Sequence, residues 1–134
     1  MAPFLGALVI IVLVIIGVGL FSVFRGDGLS EEQRVGRAAV GQNDALQREN
    51  YADFRAYTCR AQQANEGEVL ARQRRSVGER GHRSVEDVTN VMIDGDKATA
   101  IVMYQFDKVP DTSSGSEMAF AREDGTWKVC TKSP

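Results

Sequence analysis

"KATAIVMYQF", Lys97 to Phe106, alternates in character along its whole length. Ala98, Ala100, Val102, Tyr104 and Phe106 fall on one face of a strand, and Thr99, Ile101, Met103 and Gln105 on the other. Upstream, SVEDVTNVMI (84–93) reads as a second strand, with Asp94-Gly95 as the tight hairpin turn between them. Downstream, VPDTSSGS (109–116) reads as a loop and SEMAFARE (116–123) as a third strand. Asp124-Gly125 is a second hairpin signal, and TWKVCTK (126–132) reads as the fourth strand. Four strands joined in this way predict an antiparallel meander.

Before residue 82 the period is helical. Ser30 to Gln33, SEEQ, has the form of a capping box, and Glu31 and Glu32 suit the positive end of a helix dipole. A helix is expected over about 31–49, with Val35, Ala38, Ala39, Ala45 and Leu46 on a narrow apolar face and Gly41 to Asp44 loosening it. Asn50 interrupts, and Tyr51, Phe54, Ala56 and Tyr57 predict a short amphipathic helix ending near Cys59. A third helix is expected over about 66–80, with Val69, Leu70 and Val77 as its apolar members and Gly81 as its stop. Helices first and strands last make an α+β domain, in which helices cover one face of a curled four-stranded sheet.

The chain of 134 residues also holds a segment of another kind: Phe4 to Phe24 carries no charged residue. As a helix it would be roughly 31 Å long, about one hydrocarbon core. A cleaved signal peptide fits less well, because the flank is only Met-Ala-Pro and the apolar run is long. Residues 1–24 therefore read as a transmembrane anchor, 25–30 (RGDGLS) as a linker and 31–134 as the domain. Gly17 and Gly19 would let the anchor pack closely on another helix, although no GxxxG is present. Two signals for sidedness conflict. Arg25, Arg34 and Arg37 after the anchor favour a cytoplasmic domain. A single cysteine pair favours an oxidising compartment, and the domain is expected outside, with the chain crossing the plasma membrane once.

Composition excludes several functions. Sixteen basic residues against 18 acidic ones leave a net charge of −2, which is no nucleic-acid signature. One histidine, His82, and two distant cysteines are not a zinc ligand set, and no cofactor motif, P-loop or nucleophile elbow is present. Asp53, Asp87 and Tyr104 are candidates for acid–base work in a pocket, but Asp53 stands beside Arg55, Asp87 near a strand start, and only Tyr104 alternates with apolar residues. No enzyme is expected. A basic cluster, Arg72, Arg74, Arg75, Arg80 and Arg83, would be either a solvated helix face or a contact for lipid head groups or an acidic partner. Tyr104, Phe106, Phe120 and Trp127 would be core, or the lining of a ligand cavity; periodicity does not separate the two.

Cys59 and Cys130 read as one disulfide or as two buried thiols, with no C-x-x-C to suggest redox work. In TWKVC, Trp127 and Val129 share one face, so Cys130 turns to the other. A bridge then needs Cys59 on the Cys130 side, or it must form at the strand's end or edge.

An anchor, an amphipathic helix, a short helix ending in YTC (57–59) and hairpin strands ending in DGTWKVC (124–130) together resemble a known group. These are the actinobacterial membrane-anchored NTF2-like (cystatin-like, lumazine-binding-like) extracytoplasmic domains, which include accessory proteins of Mce-type lipid transporters. The resemblance covers nearly the whole chain and rests on Cys59, Gly125, Trp127, Val129 and Cys130. It implies an NTF2-like domain with Cys59 bonded to Cys130. It also implies a non-enzymatic accessory subunit of a cell-envelope complex, with a lipid bilayer and an integral membrane complex of the Mce type as partners. The alternative is a membrane-tethered binding module for a hydrophobic small molecule or lipid.

Overall fold

The computed structural model describes residues 29–131. The expected anchor at 1–24, with Gly17 and Gly19, lies outside the described residues, as does nearly all of the linker. Among the described residues no helix is long and apolar enough to cross a membrane.

Among the described residues three helices precede four strands: α1 (Glu31–Gln47), α2 (Tyr51–Ala56), α3 (Glu66–Arg80), β1 (Arg83–Asp94), β2 (Lys97–Phe106), β3 (Val109–Glu123) and β4 (Thr126–Val129). A 3-10 turn, Arg60–Gln62, lies between α2 and α3. Local chemistry sets the helix boundaries. Past α1 the backbone turns left-handed at Glu49 (φ 55°), and the Asn50 amide donates back to the Ala45 carbonyl. The Asn50 side chain then accepts the Asp53 amide at 3.0 Å, and Asn65 does the same for Glu68 at 2.9 Å, so each helix start is capped. Gly81 closes α3 at φ 85°.

The strands form one antiparallel sheet in the order β1-β2-β3-β4. The inward face of β2 is the alternating set, Ala98, Ala100, Val102, Tyr104 and Phe106, all buried. With Met118 and Phe120 of β3 and Trp127 and Val129 of β4, these residues meet Val35, Ala38 and Ala39 of α1. The second half of α1 turns to its neighbouring helices: Ala45 and Leu46 pack with Phe54 of α2 and Val69 of α3. One helix thus serves both layers, which is why its apolar stripe is narrow but long. Register shifts in β1, between Val85 and Asp87 and between Thr89 and Met92, are the bulges that add twist, and Asn90 sits there at φ 53°.

Two expectations about the strands need correction. Residues 109–115 are not a loop but the first half of β3, paired to β2 from Phe106↔Val109 to Met103↔Gly115. Both faces of this stretch are exposed, so it carries no alternation, and its Ser, Gly and Pro content is that of a turn. The real β2–β3 turn is Asp107-Lys108. The first hairpin turn is Gly95-Asp96 rather than Asp94-Gly95, because Asp94 pairs with Lys97. This places glycine, at φ 61°, in the first turn position, as a type II′ turn demands. Asp124-Gly125 has positive φ at both residues, the type I′ pattern.

Candidate ligand-binding site

Cys59 and Cys130 are bonded, with Cα atoms 5.0 Å apart. The bridge forms by the edge route. Residues 57–59 run parallel to β4 along its outer edge: the Cys59 amide donates to the Val129 carbonyl at 2.8 Å, and the Val129 amide to the Tyr57 carbonyl at 2.8 Å. Cys130, just past the end of β4, is then close to Cys59. Trp127 and Val129 face the core. Glu123 lies within reach of both sulfurs, but these are spent in the bond and supply no thiolate ligand.

The aromatic residues considered as cavity lining pack in the core. Tyr104, Phe106, Phe120 and Trp127 all belong to the main cluster, and none stands on the wall of the cavity described next. Of the two readings, core or cavity lining, the burial of these four side chains in the main cluster fits the first.

A half-open cavity of about 280 Å³ lies instead among the helices. Its wall combines Leu46, Phe54 and Val69 with Gln42, Thr58 and Gln73. At its edge stand four arginines, Arg72, Arg75, Arg80 and Arg83, against two glutamates, Glu68 and Glu79. The basic cluster is therefore divided. Arg74 turns away to Glu49 at 2.7 Å. Arg72 and Arg75 are exposed. Arg80 lies over the Phe106 ring at 4.3 Å and donates to Ser76 at 3.0 Å.

Arg83 is not a surface contact at all. It is 7% exposed, because the first residue of β1 shares the inward face with Val85. Its guanidinium lies over the Tyr104 ring at 4.1 Å, and its Nε donates to Asn43 Oδ1 at 2.6 Å. Its Nη2 is buried without a hydrogen-bond partner. Helix α1 also fixes its backbone: Asn43 Nδ2 donates to the Arg83 carbonyl at 3.0 Å, and the Arg83 amide donates to Gln47 Oε1 at 3.2 Å. Exposed His82 places its Nδ1 3.1 Å from the same Gln47 oxygen. Gln73 Nε2 donates to the same oxygen at 3.1 Å. Burial pushes the Arg83 pKa down; Tyr104 opposes this and Arg80 adds to it. Burial pushes the Tyr104 phenol up, against the pull of Arg83.

Neither of the carboxylates weighed as candidates lines the cavity: Asp53 pairs with Arg48 at 2.9 Å, and Asp87 lies exposed on β1. Gln42, Asn43, Thr58 and Gln73 went unnoticed as site residues. A signal for two of them exists. Gln42 follows Val35, Ala38 and Ala39 at helical spacing, and Gln73 follows Val69, so each polar residue occupies an apolar-stripe position. Gln42 donates to Thr58 at 2.9 Å, and Thr58 to the Phe54 carbonyl at 2.6 Å.

No family model matches the chain, and no curated protein does. Solved structures do match. One, from Campylobacter jejuni and provisionally named an NTF2-like transpeptidase, superposes with a TM-score of 0.50 at 19% identity, covering 70% of this chain and 94% of its own. The fold is NTF2-like. A protein of the NTF2-like family from Streptomyces avermitilis, provisionally named a dehydratase, has a TM-score of 0.45 at 18% identity, over 72% of this chain and 88% of its own. A SEC-C motif protein from Rhodopseudomonas palustris has a TM-score of 0.47 at 10% identity, over 79% and 92%. At 19% identity the likeness to the Campylobacter jejuni structure shows the fold alone.

Proposed function

We propose that the NTF2-like domain is a membrane-tethered, non-enzymatic binding module for a small amphipathic molecule. The observation that carries this reading is the half-open cavity of about 280 Å³ between α1, α2 and α3, with apolar and polar walls. Its size, near the lower end of small-molecule sites, suits a compact ligand better than a diacyl lipid. Binding rather than turnover is favoured because the most buried ionisable group on its wall is an arginine, which does not accept a proton at working pH. The tether rests on the uncharged run from Phe4 to Phe24, and the extracytoplasmic placement on the Cys59–Cys130 bond. In the test, the full chain is purified in detergent and examined by native mass spectrometry. A co-purifying small molecule, absent from a Ser76→Phe variant whose new ring occupies the cavity, is expected. An unliganded protein that no small molecule stabilises against heat would refute the reading.

A second reading makes the domain a contact module of a larger membrane complex, of the Mce type by resemblance. What favours it is the edge strand β1, which among the described residues pairs only with β2 and holds Met92 at 70% exposure. Recovery of the tagged chain as a lone monomer after gentle solubilisation would exclude it.

A further inference from the structure

Arg83 poses an electrostatic problem that the protein alone does not solve. A guanidinium stays charged at every pH a folded domain survives. Here it is 7% exposed, and among the described residues no carboxylate pairs with it. Asn43 satisfies Nε and the Tyr104 ring covers one face, while Nη2 is buried with no partner. A buried charge without a counter-ion is costly, and removing it from water strengthens its attraction for an anion. The group is also held in advance. Asn43 and Gln47 bind the Arg83 backbone, and Asn43 the side chain, so little order is lost when an anion arrives. Arg83 is on the wall of the cavity, and Arg72, Arg75 and Arg80 bias that cavity further towards negative charge.

From this we infer that the cavity takes a small monocarboxylate with an apolar body, and that Arg83 recognises its anionic group. The inference rests on the cavity being a ligand site and names the ligand's class. The planar fork of an arginine matches a carboxylate, with charge-assisted bonds about twice as strong as neutral ones. Leu46, Phe54 and Val69 supply the apolar wall that a bare inorganic anion would leave unused.

The test uses the full chain in nanodiscs, with empty nanodiscs as the blank. Calorimetric titration compares straight-chain monocarboxylates from hexanoate to decanoate, and 3-phenylpropanoate, with their matched alcohols and with inorganic phosphate. At least one carboxylate is expected to bind saturably and at least about tenfold tighter than its alcohol. Arg83→Met should bring the two within about twofold, while Arg74→Gln, at a residue that turns away from the cavity to Glu49, should leave the preference in place. Equal binding of acid and alcohol overturns recognition by Arg83 but leaves the cavity a ligand site. Phosphate binding as tightly as the best carboxylate overturns the ligand class. A preference that survives in a folded Arg83→Met protein overturns the residue assignment. Failure of both series to bind overturns this inference together with the cavity reading. Should Arg83→Met not fold, the acid–alcohol comparison on the unmodified chain decides alone.

Discussion

Gly81 ends α3 at φ 85°, and a Cβ there would lie 2.9 Å from the Lys108 amide nitrogen. The closeness is productive, since Lys108 donates its amide to the Arg80 carbonyl at 2.9 Å and Asp107 donates to His82 at 3.0 Å. Gly81→Ala therefore meets backbone strain and a clash together and should cost about 2–3 kcal/mol, read from urea unfolding. Gly41 gives the opposite of the usual helix rule. Alanine normally gains up to about 1 kcal/mol over glycine inside a helix. At Gly41 the added carbon would lie 2.5 Å from the Tyr57 ring, so Gly41→Ala should lower the unfolding midpoint instead. Tyr104 offers a pH test. Its phenol donates to the Met118 sulfur at 3.1 Å, a weak acceptor, so Tyr104→Phe should change stability by less than about 1 kcal/mol at neutral pH. Burial raises its folded-state pKa above that of the unfolded chain. The folded state then holds the proton to higher pH, so this contribution is full below about pH 10 and is lost as pH climbs through the folded value. Tyr104→Phe should flatten the alkaline fall in stability over that window.

At the scale of elements, β4 is four residues long and borders β3 on one side. Its other edge is covered by the 57–59 backbone and fastened by the disulfide. The cysteines are 71 residues apart, and the chain-entropy account assigns such a cross-link about 4 kcal/mol. Cys59→Ala with Cys130→Ala should remove roughly that amount, measured by urea titration, and hydrogen exchange should rise first at the Cys59 and Val129 amides. The same elements show what a sequence can reveal. β2 is legible because one of its faces is buried, which forces alternation from Ala98 to Phe106. The first half of β3 is not, because neither face is buried and no pattern is imposed on residues 109–115. α1 is legible through Val35, Ala38 and Ala39, but its Gln42 and Asn43 suggest a loosened helix until the buried partners Thr58 and Arg83 are seen. The cavity itself is hidden for a simple reason: it is a gap left where three helices pack together, and no periodicity encodes a gap.

For the whole molecule, the proposed anchor and the disulfide make one joint claim about compartment. A Cys59–Cys130 bond persists where the surroundings are oxidising, and the uncharged Phe4–Phe24 run is the segment that would deliver the domain there. Sequence charge argues the reverse, through Arg25, Arg34 and Arg37. Expression of the chain with and without residues 1–24, followed by denaturation and alkylation before reduction, sets the two against each other. The full chain should show no free thiol in the membrane fraction. The shortened chain, retained in a reducing cytoplasm, should show both thiols free and a lower unfolding midpoint, which oxidation in vitro should restore. Two free thiols on the full chain would place the domain inside and leave the arginine count as the correct guide. A bonded pair on the shortened chain would mean that Cys59 and Cys130 form their bond without help from the compartment, and the sidedness argument from the disulfide would lapse.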